Sequence, residues 1–149
     1  MQSYATIETF IDLLKQGKNV IHTAEGYSMF PKLRPGDKVL VIPINENNIP
    51  EPGSLVVAMR DNRLVLHRLI EIHHDATGNK LFITRGDSMA ETDFPWQYDQ
   101  LIGVIDLYDR KEKERVVSRK MFSEKRYKMN RAMLWVWLKI RRLKRLKKI

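Results

Sequence analysis

The chain predicts a mainly β (α+β) protein: an antiparallel, closed or coiled sheet with an N-terminal helix and a basic helical tail. Three observations lead there. Between residues 19 and 107, short apolar runs alternate with turn signals, the pattern of an antiparallel sheet. No strand–helix–strand rhythm interrupts them, which argues against a parallel sheet. Charge also changes abruptly near Asp109. Residues 1–109 carry 10 Lys/Arg against 15 Asp/Glu, whereas residues 110–149 carry 17 Lys/Arg against 3 Glu. The expected organisation is a body over 1–109 and an amphipathic tail over 110–149.

Each element has a local reason. Ile7, Phe10, Ile11 and Leu14 fall at helical spacing, and Gly17 is the stop. From Asn19 the pattern turns β-like. Val39–Ile42 follows the turn Arg34-Pro35-Gly36-Asp37, and Leu55–Met59 follows Glu51-Pro52-Gly53. Asp61-Asn62 predicts a two-residue hairpin loop into Arg63–Ile72. Another turn, Asp75–Asn79, leads to Leu81–Thr84, and Leu101–Leu107 is the last strand candidate. Beyond Asp109 the chain is expected to be helical, with Met129, Met133, Val136, Ile140 and Leu143 on one stripe. Seven Lys/Arg fill Lys139 to Lys148.

Composition excludes several chemistries. The chain has no cysteine, so disulfides, thiolate nucleophiles and Cys-rich zinc sites are out. Of four histidines, His73 and His74 adjoin a turn, where a solvated pair is expected, and no metal site is expected anywhere. The N-terminus shows no basic region followed by an apolar secretory core. The longest apolar run, Ala132 to Leu138, is seven residues, against about 20 needed to cross a bilayer. The expectation is a cytoplasmic chain, peripheral at a membrane if the tail binds one.

A serine on a Gly-flanked bend, Gly26-Tyr27-Ser28-Met29-Phe30-Pro31, is followed by His67 in a β-patterned run and by the acids Asp87 and Asp93. A serine hydroxyl is a weak nucleophile and needs a base within hydrogen-bond reach. Hydroxyl, imidazole and carboxylate are the three groups of a serine protease, here in the order Ser, His, Asp rather than that of chymotrypsin. Taken alone, a serine and a strand histidine are weak grounds.

Five motifs in order, spread over roughly residues 20–107, strengthen them. Gly26–Val41 resembles the nucleophile box of type I signal peptidases and their relatives, the self-cleaving repressors. Pro52–Val57 is similar to that family's next strand and Val65–Ile70 to its base-bearing strand. Ile83–Asp93 resembles its Gly-Asp box, and Ile102–Ile105 its closing strand. His67 stands where the bacterial enzymes and the repressors have lysine, which places the resemblance nearest the serine–histidine branch of signal peptidases.

The resemblance implies a signal-peptidase-like coiled-sheet domain and a serine endopeptidase cleaving a leader or signal segment of a peptide or preprotein. It makes Ser28 the acylating nucleophile and His67 the general base. Asp93 is the orienting acid, with Asp87 kept as the alternative third member. Gly26, Tyr27, Met29 and Pro31 would surround the oxyanion and substrate, and no cofactor is implied. Gly26 departs from the many signal peptidases that carry a hydroxyl at that place, so the oxyanion would rest mainly on backbone N–H groups.

Two further readings stay open. One is a repressor-like regulator whose basic tail contacts nucleic acid. The lysine-type base it would need is absent, and only 27 residues precede Ser28. The other is a catalytically silent binding module of the same fold. The tail has three readings of its own: a helix lying on an anionic membrane surface, a nucleic-acid contact, ranked last, or a Met/Trp face docked on the body with the basic end solvated.

Overall fold

The computed structural model describes residues 4–148. It is an α+β protein with eight antiparallel strands and two helices. The N-terminal helix α1 spans Tyr4–Lys15. The strands are β1 (Val20–Thr23), β2 (Lys38–Pro43), β3 (Leu55–Arg60), β4 (Arg63–His74), β5 (Lys80–Arg85), β6 (Trp96–Gln97), β7 (Leu101–Arg110) and β8 (Lys113–Val116). A single 3₁₀ turn at Tyr98–Gln100 joins β6 to β7, and the long helix α2 covers Glu124–Leu146. The sheet order is β1-β2-β7-β3-β4-β5-β6, with β8 also paired to β7.

The sheet is open rather than closed, since its two ends, β1 and β6, are not paired to each other. It nevertheless curls. β3 is buried on both faces, which is why Leu55, Val56, Val57 and Ala58 form an unbroken apolar run instead of an alternating one. Leu55 and Val57 join one core cluster with Phe10 and Leu14 of α1, Leu33, and Val39 and Val41 of β2. Val56 and Ala58 face a second cluster with Leu69, Phe82, Trp96, Leu101 and Val104. Every member of that second cluster lies on the sheet itself. Strands β4 to β6 therefore wrap over β3 and β7 and cover that face, with the Tyr98 ring of the 3₁₀ turn 6.2 Å from that of Phe82.

The hairpin between β3 and β4 turns on Asp61 and Asn62, both with positive φ (53° and 59°). This is the primed turn whose twist matches the flanking strands, as expected from the sequence. The break at Asp109 is different from the expectation. β7 runs on to Arg110, turns through Lys111 and Glu112 (φ 53° and 62°) and returns as β8. Helix begins only at Glu124, where the Ser123 side chain caps the Arg126 N–H.

The helical stripe is also placed differently. α2 docks on the body through Tyr127, Asn130, Leu134, Trp137 and Arg141, all buried or half-buried. The Trp137 ring lies 5.7 Å from that of Tyr27 and 5.3 Å from that of Phe30. The stripe of Met129, Met133, Val136, Ile140 and Leu143 is left exposed. Of the expected Met/Trp docking face, only Trp137 makes ring contacts with the body among the described residues. No described helix is long and apolar enough to cross a membrane.

Candidate active site

Adjacent residues of a strand point to opposite faces, so His67 and Arg68 on β4 face different surroundings. Nε2 of His67 lies 3.0 Å from Ser28 Oγ, and Nδ1 is hydrogen-bonded to Asp93 Oδ2. A carboxylate can only accept. Asp93 therefore keeps the proton on Nδ1 and leaves Nε2 free to accept from the Ser28 hydroxyl. The Thr84 hydroxyl donates to Asp93 Oδ2 at 2.6 Å, and the Trp96 indole N–H donates to Thr84 Oγ1 at 2.8 Å. The chain of bonds runs unbroken from a buried indole to the serine.

Asp93 reaches this position because its backbone N–H donates to Thr84 O at 2.8 Å, folding the loop after β5 back alongside the strand. Burial pushes its carboxyl up, but the hydrogen bond and charge of His67 and the Thr84 hydroxyl outweigh burial, and it titrates below its ordinary value.

Asp87 does not meet the imidazole. It receives both arms of Arg68, Nε to Oδ1 and Nη2 to Oδ2, each at 2.8 Å. Both side chains are 0% exposed. Arg68 Nη1 also donates to Gly53 O at 2.9 Å and to Ser118 O at 2.6 Å, and the guanidinium lies over the Phe122 ring. Burial raises the Asp87 carboxyl from its ordinary value, while the hydrogen bonds and charge of Arg68 pull the other way.

The serine bend is latched to the Gly-Asp loop. The Ser88 N–H donates to Ser28 O at 2.9 Å and the Ser88 hydroxyl to Tyr27 O at 2.7 Å. Gly86 explains the glycine of that box. A Cβ there would lie 2.7 Å from Ser28 O and 3.1 Å from His67 Nε2, so a side chain would push the nucleophile and base apart. Among the described residues, neither the Ser28 nor the Met29 N–H is matched to an acceptor.

A cleft of about 510 Å³ opens beside Ser28 and His67, lined by Ala24, Glu25, Gly26, Met29 and Leu64–Leu66 among others. His22, also on the cleft wall, packs against the Phe10 ring, and burial lowers its pKa against the pull of Glu25. Of the four residues expected around the oxyanion and substrate, Gly26 and Met29 line the cleft. The Met29 side chain is buried in the core, its Sδ 3.5 Å from the Asp87 N–H. Tyr27 turns instead to α2, where its hydroxyl accepts from Arg141 Nη1 at 3.0 Å. Pro31 follows a cis peptide bond and does not border the cleft.

Sequence reasoning assigned no role to Thr84, Trp96, Ser88 or Asn130. The first three lie in or just after the Gly-Asp box, so the box marked their neighbourhood. Asn130 is fully buried on α2 and donates from Nδ2 to Asp87 O at 2.8 Å, a contact 43 residues distant with no local signal. Among the described residues no group of three or more His, Asp or Glu is placed to hold a metal ion. No model of a known protein family matches this sequence, nor does any curated protein.

Proposed function

We propose that the protein is a serine endopeptidase of signal-peptidase type, working by acyl transfer on a leader or signal segment. The observation that carries this reading is the hydrogen-bonded line Ser28–His67–Asp93, assembled from three loops or strands far apart in sequence. A hydroxyl on one imidazole nitrogen, a carboxylate on the other and an open cleft beside both is the arrangement an activated nucleophile needs.

The chemistry follows from the geometry. His67 Nε2 takes the proton as Ser28 Oγ attacks the scissile carbonyl, and later passes it to the leaving amine. The Asp93 carboxylate stabilises the imidazolium that forms between those steps. The unmatched N–H groups of Ser28 and Met29 are the donors at hand for the tetrahedral oxyanion. Water then resolves the acyl-enzyme by the same route in reverse. The substrate class rests on the five-motif resemblance.

The test is cleavage of synthetic peptides that span a signal-type junction with small residues beside the cut, followed by mass spectrometry. Ser28→Ala and His67→Ala should each lower kcat by up to about a million-fold, and the double variant should be little worse than either. Cleavage that survives His67→Ala would rule out the base assignment. A protein that cleaves no such peptide would be a binding module with a serine-protease geometry.

A further inference from the structure

The docked face of α2 and its exposed face do different work. Docking uses aromatic and polar groups: Tyr127 and Asn130 are buried, and Arg131 donates to Met89 O at 3.2 Å. About a third of the circumference away, at about 100° per residue, Met133, Val136, Ile140 and Leu143 stand 40–59% exposed. Trp135 is 60% exposed, with the Lys139 ammonium 3.7 Å over its ring. Such a helix has already spent its docking face on the body and still presents a second apolar surface over several turns. Contiguous exposed apolar surface of this kind marks a binding site.

Charge decides what covers it. Seven Lys/Arg lie between Lys139 and Lys148, interleaved with Ile140, Leu143 and Leu146. Beyond Glu124 the helix carries no acidic residue, so a second copy laid on this face in either direction would set cations against cations, and self-association through it is opposed. A nucleic acid would neutralise the cations but would offer Val136, Ile140 and Leu143 nothing apolar to enter. An anionic lipid surface satisfies both at once: acyl chains take the stripe, while Lys and Arg reach up to headgroup phosphates with their stems along the apolar surface. A tryptophan beside a lysine suits the headgroup boundary, where an amphipathic ring has one apolar and one wet side.

We infer that α2 lays the protein on an anionic membrane surface through Met133, Val136, Ile140 and Leu143, with the basic C-terminal turns on lipid phosphate. The same helix carries Trp137 and Arg141 against Tyr27, next to Ser28 in sequence. Lipid contact would thus hold the serine bend near the membrane surface, whatever reaction the site performs.

The test uses the full-length protein and vesicles of phosphatidylcholine with or without phosphatidylglycerol. Sedimentation should show binding to the anionic vesicles and little to pure phosphatidylcholine. Each basic residue near such a surface contributes about fivefold in partitioning. Raising salt from about 50 to about 500 mM should therefore weaken binding at least about tenfold. Val136→Ser/Ile140→Ser/Leu143→Ser, all at exposed positions, should keep the wild-type circular dichroism and melting curve yet lose on the order of a hundredfold in partitioning. Brominated acyl chains should quench tryptophan fluorescence in the wild type, and much less in the triple serine variant. The proposal falls if the protein ignores anionic vesicles at low salt, or if the triple serine variant binds them undiminished. It also falls if duplex DNA at equal phosphate concentration strips the protein from them, or if the stripe proves to hold a dimer that the serine variant dissociates.

Discussion

His67 and Arg68 are consecutive residues of β4, and each meets an aspartate from the same loop, yet the two pairs are built for opposite ends. Arg68 and Asp87 are wholly buried, and every arm of the guanidinium is occupied by a carboxylate oxygen or a backbone carbonyl. Nothing in that pair is left for a ligand; it ties β4, the Gly-Asp loop, the loop before β3 and the segment after β8 to one point. His67 is buried too, but Asp93 keeps part of its side chain exposed, and their line of bonds ends on a hydroxyl facing a cleft. A closed polar network holds a fold together, whereas one that ends at solvent can pass a proton on.

That contrast can be broken most sharply at Asp93. Asp93→Asn keeps the shape but offers an amide N–H to Nδ1, so the imidazole would be held in the tautomer that cannot accept from Ser28. In serine proteases the equivalent change costs about ten-thousandfold in kcat, and a loss of that order is expected here in peptide cleavage. A kcat within about tenfold of wild type would show that Asp93 orients nothing.

The complementary substitution, Asp87→Ala, should act on the fold. It strands a buried guanidinium, a change that costs about 3–5 kcal/mol in comparable pairs. Urea unfolding should show the midpoint fall by the corresponding amount. Replacing both partners, Arg68→Met with Asp87→Leu, should recover only part of the loss, since the Gly53 and Ser118 carbonyls are then left without the guanidinium. An unchanged midpoint in Asp87→Ala would mean that the pair is not the anchor its geometry describes.

A third substitution sharpens the boundary between the two kinds of network. Thr84→Val removes the hydroxyl that donates to Asp93 and accepts from the Trp96 indole. A hydrogen bond to a charged group contributes about 1.5–3 kcal/mol, so kcat should fall by about tenfold or somewhat more. The buried Trp96 N–H is left without its acceptor, which adds about 1–3 kcal/mol of destabilisation. A large loss of stability with wild-type kcat would move Thr84 to the structural side.

Much of this architecture is legible in the sequence, and the gaps have physical causes. Asp61-Asn62 announces its hairpin because both residues tolerate positive φ. The turn at Lys111-Glu112 has the same backbone with residues that give no such signal, and β8 is exposed throughout, so it lacks the apolar alternation that marks a strand. The acids Asp87 and Asp93 could be nominated but not separated from sequence, since what divides them is which face of β4 each loop segment meets. For α2, periodicity finds the apolar stripe correctly. It cannot tell that the body takes the neighbouring face, because that docking depends on Asn130, Trp137 and Arg141 reaching partners 43 to 114 residues away.

The smallest expected effect concerns acid stability. The folded state holds the Asp93 carboxyl below its ordinary value, whereas in the unfolded chain it returns to about 3.9. In that gap the unfolded state binds more protons than the folded one, so stability rises with pH there. The contribution is therefore complete above the unfolded value and is lost as pH falls through the folded one. Urea-unfolding free energies between about pH 3 and 6 should climb less steeply in Asp93→Asn than in the wild type, since asparagine has no proton to release. Asp93 keeps 24% of its side-chain surface exposed, and water screens part of the interaction, which is why this difference ranks last. Equal slopes in the two proteins would mean that folding does not hold on to the Asp93 carboxylate, and the short line from Thr84 to His67 would then contribute orientation alone.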